Sequence, residues 1–581
     1  DDSEFSIGNV DLIGEVEMDV RVRDNDDATV TVGDITMAGT ATDGDSTSMM
    51  DVHVIDNAVA MITIGDITAT ALNADIDFAV TDNDSSSVAI GAVTLSDAET
   101  AVVAISGNEG SLTWGRASVA ISDVSVDASE RVTADISYNI DSSIDVGNVS
   151  LTSMSSDVNL SIGYNTDSSI DVGNLSLTSM SSDVNLDIGF NDGSDVTLGN
   201  VVLDAGSDAD MSVVDNDNAT IVGQAITISA GGLVVLDIDD NDGSAVTFSD
   251  VSLQGDSVTV TLDADRDGLI DGSVSVGDIG VTTSDDFDFD VRGDQSSEYV
   301  EVGNLTVNVD TPAGFTDADS ARVDIYADGV TGLDEITVTA DGGDVDVINI
   351  DLRDNDDDND GIFTTTTTSL IDLSGASSTD AVINLNFAGT HIDAGTPSLD
   401  AANFSDDIVI KFGDFATASV ETVINDGSDM QDVDDLDGVR QTYVFEGSDI
   451  GDITVQGFVA GSGGYRDVSI QGPSHGSEDG RGPAEFVGDT DGRDWWEYDT
   501  DNVDNLAALR TDRIDLSHFE GLTLDDLVFQ YDDEEDSVTI TAADGQFDGS
   551  IVVTGQGVDA DTTGEDEQTI IDRVADSIIF G

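Results

Sequence analysis

Ten residues, DADRDGLIDG at 263–272, space carboxylates as if to gather one cation. Asp263, Asp265 and Asp267 recur at every second position. Gly268 follows where the loop must turn sharply, and then comes Asp271. Calcium takes about six to eight oxygen ligands, and alternate carboxylates of a tight loop converge on one ion. The three aspartates fill the first, third and fifth positions of such a loop. The carbonyl of Leu269 fills the seventh and Asp271 the ninth, while Val274 stands at the twelfth, where a glutamate would close the shell. A second loop, DDDNDG, sets Asp356, Asp358 and Asp360 before Gly361, with Thr364 and Thr367 where later ligands are expected. The last third of the chain offers DTDGRD (Asp489, Asp491, Asp494) and DTDNVD (Asp499, Asp501, Asp504). The chemistry to expect of all four is calcium binding. The alternative is a solvated acidic turn.

Loops of this kind matter only if the chain around them folds, and the charge opposes folding. The 581 residues carry 122 Asp and Glu against 16 Lys and Arg, a formal charge of −106, and Lys411 is the single lysine. Charge of this size ordinarily keeps a chain disordered. It also repels nucleic acid and anionic membranes at long range, so neither is expected as a partner. Yet 39% of the residues are hydrophobic, and Val and Ile alternate with polar residues over long stretches, the signature of half-buried strands. A folded chain is therefore expected, with divalent cations or high salt offsetting the repulsion. There is no cysteine, which removes disulfides, thiolate metal sites and thiol nucleophiles. No run approaches the roughly 18 apolar residues of a transmembrane span. No signal-peptide pattern opens the sequence.

A repeat positions the acids. Residues 142–167, SSIDVGNVSLTSMSSDVNLSIGYNTD, and 168–193, SSIDVGNLSLTSMSSDVNLDIGFNDG, differ at five of 26 positions. Fainter copies set an apolar residue before a glycine, often with Asn or Asp after it, at Gly33, Gly65, Gly91, Gly199, Gly277 and Gly303. A period near ~27 residues belongs to solenoids and arrays. Within one copy, Ile144 and Val146 share a face, Gly147-Asn148 breaks the register, and Val149 and Leu151 resume it. Val158, Leu160 and Ile162 form the longest alternating run. Short strands joined by polar turns fit one coil of a parallel β-solenoid. The rival is a string of small β-sandwiches, and a 26-residue unit is too short for one. The recurrent glycine is expected at a tight corner with φ > 0. Proline is absent before Pro312, as expected where backbone N–H groups bond to neighbouring coils. The predicted fold class is all-β: a right-handed parallel β-solenoid with about 26 residues per coil over 1–310, followed by β-rich domains. About a dozen coils at roughly 4.8 Å each give a rod of about 55–60 Å.

Stacked coils bring equivalent residues together. Asp157 and Asp183 fall one coil apart. Two carboxylates about 5 Å apart repel by roughly 3 kcal/mol at an effective dielectric near ~20. Acids crowd RDNDD (23–27), TDND (81–84), VDNDN (214–218) and IDDNDG (238–243) in the same way. Ladders like these call for protonation, solvation or bridging cations. Weak calcium binding along one corner is expected, beside simple solvation in a marine or high-salt medium.

Pro312 marks a boundary. Residues 311–440 stay strand-rich, as in DEITVTA and DVINIDL, but lose the regular glycine, and are expected to form a separate sandwich-like β-domain. From 441 to 581 the texture changes again. YVFEGSDIGDITVQGF leads into a Gly-rich loop holding Trp495, Trp496 and Tyr498. Then come DRIDLSHF, LTLDDLVF, a hairpin carrying SVTI, and a last strand in DSIIFG. In that order the pieces resemble the C-terminal region of RTX-type proteins, targets of type I secretion that include S-layer proteins and adhesins. The resemblance covers this last quarter of the chain. It implies one-step export from a Gram-negative cell with no N-terminal signal. The tandem GGxGxDxUx repeats of that family are absent, and GSGGYRDVSI at 461–470 only echoes them. The resemblance therefore bears on the route of export more than on a calcium roll. The DxDxDGxxD loop at 263–271 in turn is similar to the calcium loops of thrombospondin type 3 and dockerin modules.

Signals for catalysis are sparse. His53, His391, His475 and His518 are scattered, with no HExxH pattern. GPSHG at 472–476 matches G-x-S-x-G, but Pro473 and the loop after it do not build the strand–turn–helix that would expose Ser474. No enzyme activity is expected. The function expected is that of a secreted, calcium-stabilised structural protein that self-assembles into an extracellular filament or surface layer on a Gram-negative cell. It would be a homo-oligomer with Ca2+ as its cofactor. One alternative is a calcium-dependent adhesin or biofilm-matrix protein, with a solenoid stalk and affinity for a surface glycan or lipopolysaccharide. The other is a β-helical polysaccharide-degrading enzyme.

Overall fold

The protein is described from a computed structural model of the 581-residue chain. The structure describes residues 3–310, apart from 15–16, 41–48, 73, 112–114, 264–271 and 293–298. Beyond 310 it describes 321–328, 330–331, 333, 335–340, 345–353, 370–376, 378–386, 408–412, 415–421, 441–445, 449–456, 458, 484–488, 494–498, 512–519, 521–532, 537–543, 547–554, 558 and 567–580. The chain divides into two units, Asp1–Val281 with Val291–Val302, and Thr282–Asp290 with Gly303–Gly581.

In the first unit each coil is three short strands, as in Ser142–Val146, Val149–Ser153 and Val158–Gly163. Each strand pairs in parallel with its counterpart one coil on. Ile144 faces Ile170, Leu151 faces Leu177, and Leu160 faces Leu186. Three parallel sheets result, and the fold is an all-β parallel solenoid. Such a register sets like on like. One inward column of the first sheet runs Val30, Ile62, Val88, Val119, Ile144, Ile170, Val196 and Ile221, all buried. β-Branched side chains hold a restricted χ1 and fill a pleated surface, so they lose little freedom in such a column. Coil length varies at the corners. From Asn25 to Asn241, equivalent asparagines stand 32, 26, 25, 31, 26, 26, 25 and 25 residues apart. Extra residues fall between strands, and the inward columns survive.

The recurrent glycine answers a different need from the one expected of it. None of Gly33, Gly65, Gly91, Gly147, Gly199 and Gly277 has a positive φ. These positions lack room for a side chain instead. A Cβ on Gly147 would lie 1.4 Å from the Ser122 carbonyl oxygen, and one on Gly33 would lie 2.9 Å from the Asn9 nitrogen. One corner backbone rests directly on the corner before it, and a methyl group does not fit between them. Left-handed residues sit at another corner, in pairs such as Tyr138 and Asp141, Tyr164 and Asp167, and Asp215 and Asn218.

In the second unit, one parallel ladder links Leu305–Val309, Glu335–Ala340, Leu370–Leu373, Ile408–Phe412, Gln441–Phe445, Arg513–Asp515 and Ile578–Ile579. Another links Ala321–Asp328, Val345–Arg353, Ser378–Asn386, Phe415–Glu421, Asp449–Gln456 and Asp548–Thr554. The strands described within 311–440 thus pair in parallel, whereas a sandwich pairs them antiparallel. Large rings fill the interior, with Phe412 stacked on Phe445 at 5.3 Å and Tyr443 against Phe458 at 6.3 Å. Two elements differ from expectation. Asp494–Tyr498, expected within a loop, is a strand paired antiparallel with Ala484–Gly488, and Trp496 lies opposite Phe486. Glu567–Asp576 is an α-helix within the region expected to be β-rich, with Ile570 and Val574, one turn apart, buried on one face. The LTLDDL motif closes a 3-10 turn. The Thr523 hydroxyl and N–H both donate to Asp526 Oδ2, at 2.7 and 2.9 Å.

Candidate functional site

Of the calcium ligands expected from the sequence, Asp265, Asp267, Leu269, Asp271, Asp356, Asp358, Asp360, Asp489, Asp491, Asp499, Asp501 and Asp504 lie outside the described residues. Asp263 ends the strand Ser257–Asp263 with its side chain half-buried, and Asp494 opens the strand Asp494–Tyr498. Ser474, His391 and His475 also lie outside the described residues, and His518 is exposed.

The acidic corners are described, and asparagine organises them. In RDNDD, TDND, VDNDN and IDDNDG the central Asn points inward. Asn57, Asn83, Asn108, Asn139, Asn165, Asn191, Asn216 and Asn241 are all buried. Each side-chain amide donates to the next one along, from Asn25 to Asn57 at 2.7 Å through to Asn216 to Asn241 at 2.8 Å. The remaining capacity is used as well. Asn165 Nδ2 donates to the Ile136 carbonyl at 3.1 Å, and Asn165 Oδ1 accepts the Asn139 backbone N–H at 3.1 Å. Three residues after the asparagine a buried serine repeats the device. Ser168 Oγ donates to the Asn139 carbonyl at 2.9 Å and accepts the Ser142 N–H at 3.2 Å. A buried amide left open costs about 1–3 kcal/mol, so full satisfaction is what makes this interior polar row tolerable. The sequence signal for it is N-x-x-S at 83–86, 139–142, 165–168, 191–194 and 241–244. Attention to the acids beside each asparagine conceals it.

Outside that row, the residue preceding each Asn is left-handed at Asp24, Asp56, Asp82, Tyr138, Tyr164, Phe190, Asp215 and Asp240. Aspartate adopts this conformation readily, whereas a bulky aromatic adopts it with strain. The aromatic side chains gain contact in return. Tyr138 stacks on Tyr164 at 5.0 Å and Tyr164 on Phe190 at 4.7 Å, with planes within 8°. The rings cover one another's faces, which serves coil stacking more than capture of a flat ligand. Where acids stack instead, burial first, and then the charges of Asp56 and Asp84, push the Asp82 carboxyl above its ordinary range.

At the corner between the second and third sheets, Asp157 and Asp183 do lie in adjacent coils, and donors from the next coil meet them. Ser182 Oγ donates to Asp157, the Asp208 N–H to Asp183 at 3.2 Å, and the Leu233 N–H to Asp208 at 2.8 Å. Protein donors therefore take up part of the repulsion anticipated there.

The outward face of the third sheet carries acids in two columns. One runs Asp135, Ser161, Asp187, Ser212, Asp237, so that alternate coils insert a hydroxyl between carboxylates. Ser212 Oγ donates to Asp187 at 3.2 Å. The other column begins Asp19, Asp51, Asp77, with His53 two residues beyond Asp51 on the same face. Asp51, His53 and Asp77 each bring one potential ligand atom within 4.8 Å of the other two. His53 Nε2 lies 3.3 Å from Asp77 Oδ2 without the alignment of a hydrogen bond. This cluster went unseen in the sequence because its third member comes from another coil.

No family model, no curated protein and no solved structure matches the chain.

Proposed function

We propose that this is a secreted, non-catalytic structural protein whose coils add end to end, in the presence of calcium, to build an extracellular filament or surface layer. One observation carries the reading, the open side of the coil Ser3–Ile7, Val10–Gly14 and Met18–Arg23. Phe5 and Ile7 occupy inward columns, yet they are 54% and 52% exposed. Their register partners Val30 and Val32 are 5% and 3% exposed. Among the described residues, Ser3–Ile7 pairs with a strand on one edge only. An apolar face and a strand edge left uncovered among the described residues accept a further coil in the same register. In this proposal that coil comes from a second copy. Calcium screens the contact between two chains of the same high charge. The resemblance of residues 441–581 to type I secretion targets supports export.

Gly8 supplies the test. It holds the corner position of Gly33 and Gly147, and a Cβ there meets nothing within 4 Å. In a docked pair that Cβ would collide with the incoming corner, as it would at Gly33. Electron microscopy and sedimentation in calcium should show assemblies of the wild type that dissolve in EDTA. Gly8→Ala should melt like the wild type and fail to assemble. Monodisperse wild-type monomers in both conditions would overturn the proposal.

A further inference from the structure

We infer that Asp51, His53 and Asp77 bind a first-row transition divalent ion, zinc above all, on the outward face of the third sheet. The strand supplies the first two ligands, since residues two apart point to the same side. The parallel register supplies the third, because Asp77 lies directly beside Asp51 in the next coil. The Nε2 to Oδ2 separation of 3.3 Å between His53 and Asp77 matches the edge of a tetrahedron around zinc, whose bonds to nitrogen and oxygen are about 2.0–2.2 Å.

A second observation is independent of the clustering. Asp51 is only 5% exposed, and its Oδ1 is buried without a hydrogen-bond partner. His53 Nε2 is buried in the same condition. The buried asparagine row of this unit is fully bonded, and among its described residues the only other buried side-chain atom without a partner is Asp210 Oδ1. Two buried polar atoms without hydrogen bonds, in residues whose ligand atoms lie within 4.8 Å of one another, suit a bound ion.

Charge around the cluster favours a cation. The guanidinium of Arg21 is bonded to Asp19 at 2.8 Å and stands 3.9 Å from Asp51, so the Arg21–Asp19 pair is neutral and two carboxylates remain. The donor set selects the metal. Calcium prefers oxygen alone, whereas imidazole with carboxylates suits zinc and its neighbours. His53 and Asp77 keep 19% and 34% of their side chains exposed, which leaves a way in and room for a water ligand.

The full chain, stripped of metal and held in millimolar calcium to fill oxygen-only sites, should bind one equivalent of Co2+. Its visible bands should report mixed nitrogen and oxygen ligands and should vanish on adding Zn2+. His53→Gln, Asp77→Asn and Asp51→Asn should each weaken this equivalent roughly tenfold or more, since even second-shell changes cost that much. Melting in EDTA shows that each variant folds. Should one fail to fold, the ring nitrogen resonances of the four histidines in the wild type decide, and zinc must move those of His53. No saturable equivalent in the wild type, an unchanged one in His53→Gln, or a shift at another histidine instead would overturn the assignment.

Discussion

Asn139 and Asn165 are 26 residues apart in sequence, and the side-chain amide of one donates to that of the other at 3.0 Å, wholly buried. Asn165→Ala removes that acceptor and leaves the Ile136 carbonyl without its donor. The Asn139 backbone N–H and Asn191 Oδ1 each lose a bond as well, so the expected cost is at least roughly 2–4 kcal/mol. A long repeat array need not unfold as one unit, so the loss is best read as amide-exchange protection in the coils spanning 139–191. Asn174→Ala is the control. Asn174 bonds Asn148 and Asn200 in an equivalent but exposed row, where water replaces the lost bonds. Its cost should stay below about 1 kcal/mol. Equal losses at the two positions would refute the distinction.

Gly147→Ala should destabilise by about 1–3 kcal/mol or more, because the new methyl meets the fixed Ser122 carbonyl rather than a side chain able to move. Gly8→Ala should cost less than about 0.5 kcal/mol in the monomer. Thermal melts of the pair separate close approach from backbone conformation as the cause of the glycine pattern.

Stability should rise on mild acidification. Burial, then the charge of Asp187, pushes Asp210 above its ordinary range. Burial, then Asp239, Asp210 and Asp240, does the same to Asp237. A carboxyl with a raised folded pKa binds more protons folded than unfolded, so stability falls as pH rises from the unfolded value through the folded one. Asp372 works the other way. Burial pushes it up, but hydrogen bonds from Ser374 and Lys411 outweigh that and hold it low, so its contribution is lost on acidification. The raised groups are the more numerous among the described residues, and the melting temperature should increase from pH 7 towards pH ~5. Asp210→Asn should raise the pH 7 value and flatten the rise. A melting temperature that falls steadily over this range would contradict the prediction.

Tyr164 trades backbone strain at φ 57° for ring stacking on both sides. Tyr164→Gly loses about 0.5–1.5 kcal/mol from each of its two stacks and regains part of that from a backbone free to be left-handed. Tyr164→Val loses the stack and keeps the strain, so it should be the less stable by at least about 1 kcal/mol. Melting curves of the two variants decide the order.

Calcium should raise the melting temperature of the wild type. Asp267→Asn, at the fifth position of the loop at 263–271, should reduce that gain while leaving the melt in EDTA unchanged, since a bound ion stabilises only the state that binds it. An undiminished gain would remove this loop from the list of sites.

The sequence by itself determined the period, the all-β class and the inward columns. Val and Ile at alternate positions, repeated each coil, leave a strand only one face to bury, and identical copies can only stack in register. It also marked the glycine corner, but it could not distinguish a left-handed turn from a lack of room, because that depends on the Ser122 carbonyl one coil away. The acids of DNDN-like corners were legible as charge, while the asparagine between them became the organiser only once stacking placed Asn139 against Asn165. Asp77 reaches Asp51 and His53 for the same reason. Periodicity along a chain reports which side of a strand is buried. Which residues share hydrogen bonds, repel one another or hold an ion is set by the coil-to-coil register, and that register exists only in the folded solenoid.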